Sequence, residues 1–198
     1  MIIAVTGSIS TGKSSVSSYI KKKYPVIDAD KLARYILEID KRAYLDIIKE
    51  FGKDILLENR EINRKKLGQI IFSDKEKRII LNRITHKEIN REFKKRVSCF
   101  IKAGEKIIFY DIPLLFEVNL EKEFDAVILV YVPKKIQLER LMKRDSIDML
   151  EALRKINSQI NIEDKKKRSK YIIDNSKSLE NSFKQFDEIM LSINKNIK

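Results

Sequence analysis

The segment Gly7-Ser8-Ile9-Ser10-Thr11-Gly12-Lys13-Ser14 has the spacing G-x-x-x-x-G-K-[ST], and it lies between an apolar run, Ile2 to Thr6, and the start of a helical pattern. A glycine-rich turn entering a helix presents successive backbone N–H groups together with the positive end of the helix dipole. Both favour a chain of phosphates. In such a loop the lysine, here Lys13, reaches the β- and γ-phosphates of a nucleotide, and the hydroxyl of Ser14 is an oxygen ligand for Mg²⁺. The requirement for a strand before the loop and a helix after it narrows the fold to an α/β arrangement.

The rest of the chain agrees with that arrangement. Short runs rich in Ile, Val and aromatics at Ile2 to Thr6, Pro25 to Asp28, Lys106 to Tyr110, Ala126 to Tyr131 and Tyr171 to Asp174 read as buried parallel strands. Longer helical patterns separate them, as crossover helices do in a parallel sheet. The expected fold is therefore a three-layer P-loop NTPase fold on a five-stranded parallel sheet. Between the second and third strands, residues 31–103 read as a helical insertion, with helical spacing at Leu67, Ile70 and Ile71 and again at Ile79, Ile80, Arg83 and Ile84. A second helical stretch over about 136–168, dense in Arg and Lys, is expected to form a small lid. The core then comprises about 1–30, 104–135 and 169–198, ending in an amphipathic helix from about Leu179 to Ile193.

Several further residues could serve phosphate chemistry. Asp111 follows Ile107-Ile108-Phe109-Tyr110, where an acidic residue at a strand end can hold or orient a metal, although a turn or cap before Pro113 is an equal reading. Asp28 and Asp30 stand two apart at the expected carboxyl end of the second strand, the side on which α/β sheets bind ligands. If the strand continues, both carboxylates point the same way: one as a general base for an acceptor hydroxyl, the other assisting the metal. Alternatively Asp30 caps a helix beginning at Lys31. Arg140 and Arg144 share one helix face and could clamp phosphates, but spacing alone favours pairing with Glu139, Asp145 and Asp148. His86, the single histidine, lacks partners at metal spacing and reads as structural or acceptor-side.

Composition bounds the partners. The formal net charge is +13, with Lys+Arg 42 against Asp+Glu 29, so polyphosphate substrates are attracted. The lysines are spread along the chain without an aromatic-interleaved stripe, which disfavours nucleic acid as the partner. The first residues read as a strand and not a signal peptide, and no run of about 18 apolar residues occurs, so no membrane partner is expected. The single cysteine, Cys99, suits a reducing compartment, and a cytoplasmic location is expected. Nothing in the sequence fixes an oligomeric state.

Beyond the loop, Val26-Ile27-Asp28-Ala29-Asp30 with Ala33-Arg34, Asn63 to Leu67 followed by Ile71-Phe72, and His86 in a long helix form a recognisable series. It continues with Asp111-Ile112-Pro113-Leu114-Leu115-Phe116-Glu117, with Gln137, Arg140, Arg144 and Asp145, with Gln159, and with Ile172-Ile173-Asp174-Asn175. Over its whole length the chain resembles the dephospho-coenzyme A kinase family. The resemblance implies phosphorylation of the ribose 3′-hydroxyl of dephospho-coenzyme A by ATP and Mg²⁺, and a nucleotide core, an acceptor-binding insertion and a lid. It further implies Ser10 to Ser15 (with Thr11, Gly12, Lys13 and Ser14) as the ATP-binding loop and Lys13 and Arg140 as phosphate stabilisers. Asp30 becomes the base, and Asp30, Arg34, His86 and Leu114 lie on the acceptor side. Ser14, Asp28 and Asp111 are the metal candidates. The chain departs from the family pattern at Ser8 and Ser10, where glycine is usual, and a serine forced to positive φ there would be strained. Another small P-loop nucleoside or nucleotide kinase is the alternative, followed by a non-catalytic basic nucleotide- or nucleic-acid-binding protein.

Overall fold

Ile2–Gly7 forms β1, and five of its six residues are buried, as a strand covered on both faces requires. The computed structural model describes residues 1–196. In it β1 is the centre of a five-stranded sheet with β2 (Val26–Asp28), β3 (Ile108–Asp111), β4 (Ala126–Tyr131) and β5 (Tyr171–Asp174), in the order β2-β3-β1-β4-β5. The β1/β3, β1/β4 and β4/β5 pairs are parallel; Ile3 sits between Phe109 and Ala126, and Ile173 lies beside Val130. The five expected strands are therefore present, with ends moved by at most two residues.

Two units make up the chain: Met1–Ile27 with Glu105–Lys198, and Asp28–Gly104. In the first, Ile3, Val5, Ile128, Val130 and Ile173 of the sheet pack with Val16 and Ile20 of α1 (Lys13–Ile20). Phe186, Met190 and Ile193 complete this core from a C-terminal helix, Leu179–Asn196. Burial of each such side chain contributes on the order of 1.5–3 kcal/mol. Tyr19 stacks on Phe183 with ring centroids 4.1 Å apart and donates its hydroxyl proton to Asp187 at 2.7 Å, joining the first and last helices.

The second unit is helical: α2 (Ala29–Tyr35), α3 (Arg42–Phe51), α4 (Arg64–Ser73) and α5 (Lys75–Lys102). Tyr44, Ile47, Ile55, Ile62, Leu67 and Leu81 form its core, with Ile70, Ile71 and Ile84 packed against them. Ile79, read from the sequence as part of this apolar series, is instead 56% exposed. The chain breaks between α4 and α5 because Asp74 turns back as a cap, its carboxylate accepting from the N–H groups of Glu76 and Lys77.

The Arg/Lys-dense stretch resolves into α6 (Lys134–Asp145), α7 (Met149–Asn157) and α8 (Ile162–Arg168) in the first unit, followed after β5 by α9 (Leu179–Asn196). Ser146 ends α6 in the left-handed conformation, and Asp148 and Asn161 cap the next two helices. Leu141, Ala152 and Ile156 form a small core there. No helix among the described residues is long and apolar enough to cross a membrane.

Candidate active site

The loop between β1 and α1 is set by how closely its two glycines are approached. A Cβ on Gly7 would lie 2.6 Å from Thr11 Oγ1 and 3.0 Å from the Val130 carbonyl oxygen. Gly12 has φ +82°, and a Cβ there would lie 2.2 Å from Asn175 Nδ2. Both positions thus require the absence of a side chain, one for space and one for space and conformation. Thr11, buried, donates its hydroxyl proton to the Ser8 carbonyl at 2.9 Å and closes the turn. Ser10 carries φ 58°, the strained left-handed geometry expected where glycine is usual; Ser8 does not. The hydroxyl oxygens of Ser8 and Ser10 are both buried without a hydrogen-bond partner among the described residues.

Amide side chains from distant parts of the chain hold this loop. Gln137 Nε2 of α6 donates to the Ile9 carbonyl at 2.8 Å, while Gln159 Oε1 accepts from the Ile9 N–H at 2.9 Å. Asn175, just after β5, donates from Nδ2 to the Thr11 carbonyl at 2.8 Å and accepts from the Ser182 hydroxyl at 2.8 Å. Ile9 also sends its side chain into the Leu141, Ala152, Ile156 cluster. Among the described residues the N–H groups of Gly12, Lys13 and Ser14 have no partner in the chain. They are the orphan donors of the first turn of α1, aligned with its dipole, and they suit an anion.

Lys13 Nζ donates to Asp111 Oδ1, a pair whose side chains are only 17% and 8% exposed. Asp111 is the last residue of β3, and Thr6 Oγ1 donates to the Pro113 carbonyl at 3.1 Å, which fixes the chain just after it. Cation and carboxylate hold each other at the end of the strand; a phosphate chain on the loop would meet the lysine there. Arg140 Nη2 donates to the Asn175 carbonyl at 2.9 Å, and among the described residues no carboxylate pairs with it. Arg144 is engaged twice by Asp145, at 2.7 and 3.2 Å, and Lys155 Nζ lies 3.3 Å from both Asp145 and Glu151. The Asp145 carboxyl is held below its usual range by Arg144 first and then Lys155.

The acidic pair of the second strand differs from both sequence readings. β2 stops at Asp28, whose Oδ1 accepts from the Lys31 N–H at 3.0 Å, so Asp28 and not Asp30 caps the helix, which begins at Ala29. Asp30 lies within the first turn of α2, exposed. The two carboxylates therefore do not share one face of a continued strand, because the chain turns into a helix between them. In the helical unit Arg34 and His86 are exposed, on α2 and α5; in the sheet unit Leu114 is 45% exposed in the turn after β3.

Sequence reasoning gave no role to Gln137, Gln159 or Asn175. The signal available was a polar residue at an apolar helical position: Gln137 stands between Ile136 and Leu138 and is 1% exposed.

Comparison with known proteins extends the geometry. A family model described as dephospho-CoA kinase matches residues 1–181. A dephospho-CoA kinase of Listeria innocua is 47% identical over 184 residues, covering 92% of each chain. One of Bacillus licheniformis is 42% identical over 191 residues, covering 96% of this chain and 95% of that one. Among solved structures, a dephospho-CoA kinase from Campylobacter jejuni has 32% identity and a TM-score of 0.74, covering 100% of this chain and 98% of the other. A shikimate kinase from Acinetobacter baumannii in complex with shikimate, at 14% identity and a TM-score of 0.53, shares the fold alone. With the family model spanning nine-tenths of the residues and relatives of this identity end to end, the chain belongs to the dephospho-CoA kinase family.

Proposed function

We propose that this phosphotransferase moves the γ-phosphoryl group of ATP onto the ribose 3′-hydroxyl of dephospho-coenzyme A, giving coenzyme A and ADP, the last step of coenzyme A synthesis. The single observation that carries the nucleotide half is the loop from Gly7 to Ser14, with orphan N–H groups at the start of α1 and Lys13 at its mouth. The family carries the acceptor half.

In this reading Ser10 to Ser15 wrap the phosphates of ATP through backbone N–H groups, and Lys13 and Arg140 neutralise charge that spreads over the transferring group. Asp30 accepts the proton of the acceptor hydroxyl; it is exposed in the first turn of its helix, where a ligand can reach it. The unit Asp28–Gly104 recognises the acceptor with Arg34 and His86, Leu114 adds an apolar contact, and helices α6 to α8 form the lid. ATP and dephospho-coenzyme A are the small-molecule partners, and the enzyme works in the cytoplasm, a reducing compartment that its one free thiol, Cys99, suits.

The donor set also suits Mg²⁺. Ser14 and Asp111 offer hard oxygens, with Asp28 as a further carboxylate, and the described residues contain no cluster of three or more metal-ligating side chains. A sparse oxygen set of this kind matches an ion that keeps several waters and is held mainly through substrate phosphates. Such an ion supplies charge neutralisation at the phosphates when bound.

Replacing Lys13 by Ala and, separately, Asp30 by Asn is expected to lower kcat by at least about 10²-fold each. Near-normal turnover by Asp30→Asn would remove its role as base and leave it a first-turn helix residue.

A further inference from the structure

Gln137 is buried in α6, and while its Nε2 serves Ile9, its Oε1 is buried with no partner among the described residues. An apolar residue would carry no such desolvation cost; what the amide adds in return is its bond to the Ile9 carbonyl. Gln159 completes the arrangement from the turn after α7. The two side chains come from 128 and 150 residues away and take up both backbone groups of the same residue, Ile9. A cavity of about 190 Å³ adjoins the loop at Ser8 and is lined by Gln137 and Gln159 among others; beside it the two amide bonds add to the packing of the Ile9 side chain against Leu141, Ala152 and Ile156. Gln159 is itself fixed through its neighbour. Ile160 donates its N–H to Glu117 Oε1 at 3.1 Å, and the fully buried Lys165 approaches the same oxygen at 2.7 Å.

We infer that Gln137 and Gln159 are positioning residues for phosphoryl transfer: by gripping the two peptide groups of Ile9 they set the loop on which the triphosphate rests. They touch no reacting atom. Their effect comes through alignment, since displacing a positioned reactant by about 1 Å costs on the order of 10²-fold in rate. The inference rests on the kinase reading above, and wild-type protein assayed alongside separates the two, because its turnover tests that reading whatever the variants do.

The experiment compares steady-state kinetics of the purified full chain with ATP and dephospho-coenzyme A, each variant being checked by thermal melt to be folded at the assay temperature. Gln137→Leu and Gln159→Leu are each expected to lower kcat about 10-fold or more while the KM for dephospho-coenzyme A stays within about twofold. Polarity supplies the second arm. Gln159→Glu keeps an acceptor oxygen for the Ile9 N–H and recovers most of the lost kcat; Gln137→Glu adds the same charge but sets an oxygen against the Ile9 carbonyl and recovers none. If a leucine variant fails to fold, the glutamate pair decides alone. Wild-type kcat in the leucine variants, or equal kcat in the two glutamate variants, overturns the inference.

Discussion

Gly12→Ala tests the packing of the phosphate loop from two independent costs. The first is conformational: at φ +82° a Cβ costs about 1–2 kcal/mol. The second is steric, because the new Cβ would lie 2.2 Å from Asn175 Nδ2. Asn175 is 3% exposed and cannot retreat without breaking its 2.8 Å bond to the Thr11 carbonyl and straining its 2.8 Å bond from Ser182. Losing those bonds in a buried place costs about 1–3 kcal/mol. Together the substitution should destabilise by about 2–5 kcal/mol, a fall in Tm of roughly 4–20 °C for a chain of this length. Thermal denaturation followed by circular dichroism measures it. Gly104→Ala is the control for conformation alone, having φ +89° with nothing within 4 Å of its Cβ, and should lose only about 1–2 kcal/mol. Gly68→Ala, in α4 with open space around it, should gain about 0.5–1 kcal/mol. Adding Asn175→Ala to Gly12→Ala should give a double variant more stable than the sum of the single losses by about 1 kcal/mol or more. Equal losses at Gly12 and Gly104, with additivity in the double variant, would refute the steric half of this reasoning.

Two further expectations come from the same unit. Ser10→Gly should raise Tm, since it removes a left-handed serine with φ 58° and a buried hydroxyl without a partner, for a gain of about 0.5–1 kcal/mol; an unchanged or lower Tm would show that the serine is not strained. Tyr131 donates its hydroxyl proton to Glu163 at 2.6 Å, and this bond, with burial adding to it, pushes the phenol from 10.0 up to about 12. The folded value is the raised one, so the bond contributes fully below pH 10 and its contribution fades as pH rises through about 12, over a range of about 2–3 kcal/mol. Urea denaturation of wild type and Tyr131→Phe across that window should show the stability difference shrinking, and a difference independent of pH would contradict the assignment.

The strands were legible in the sequence because each is a short Ile/Val/aromatic run bounded by polar residues, and burial on both faces leaves that mark. The loop was legible because its function demands fixed spacing. Asp28-Ala29-Asp30 was harder: two equivalent cap residues stand two apart, and which one accepts from the N–H three residues on depends on where the strand ends. Ile79 belongs to an apolar run but faces outward, since it stands two residues before the core residue Leu81 and therefore about 200° round the helix from it. The amide grip on Ile9 and Thr11 was not legible, because it depends on the sheet order that sets β4 beside β1 and β5 beside β4, bringing residues 137, 159 and 175 to a loop at residue 9. Sequence spacing carries no record of contacts of that range.

The central claim is tested most directly by incubating the purified chain with ATP, Mg²⁺ and dephospho-coenzyme A and identifying the product. The account predicts ADP formation that depends on dephospho-coenzyme A, a phosphate found on the ribose 3′-oxygen of the product, and loss of at least about 10²-fold in kcat with Lys13→Ala. Phosphorylation of nucleosides or nucleoside monophosphates with no turnover of dephospho-coenzyme A would contradict it.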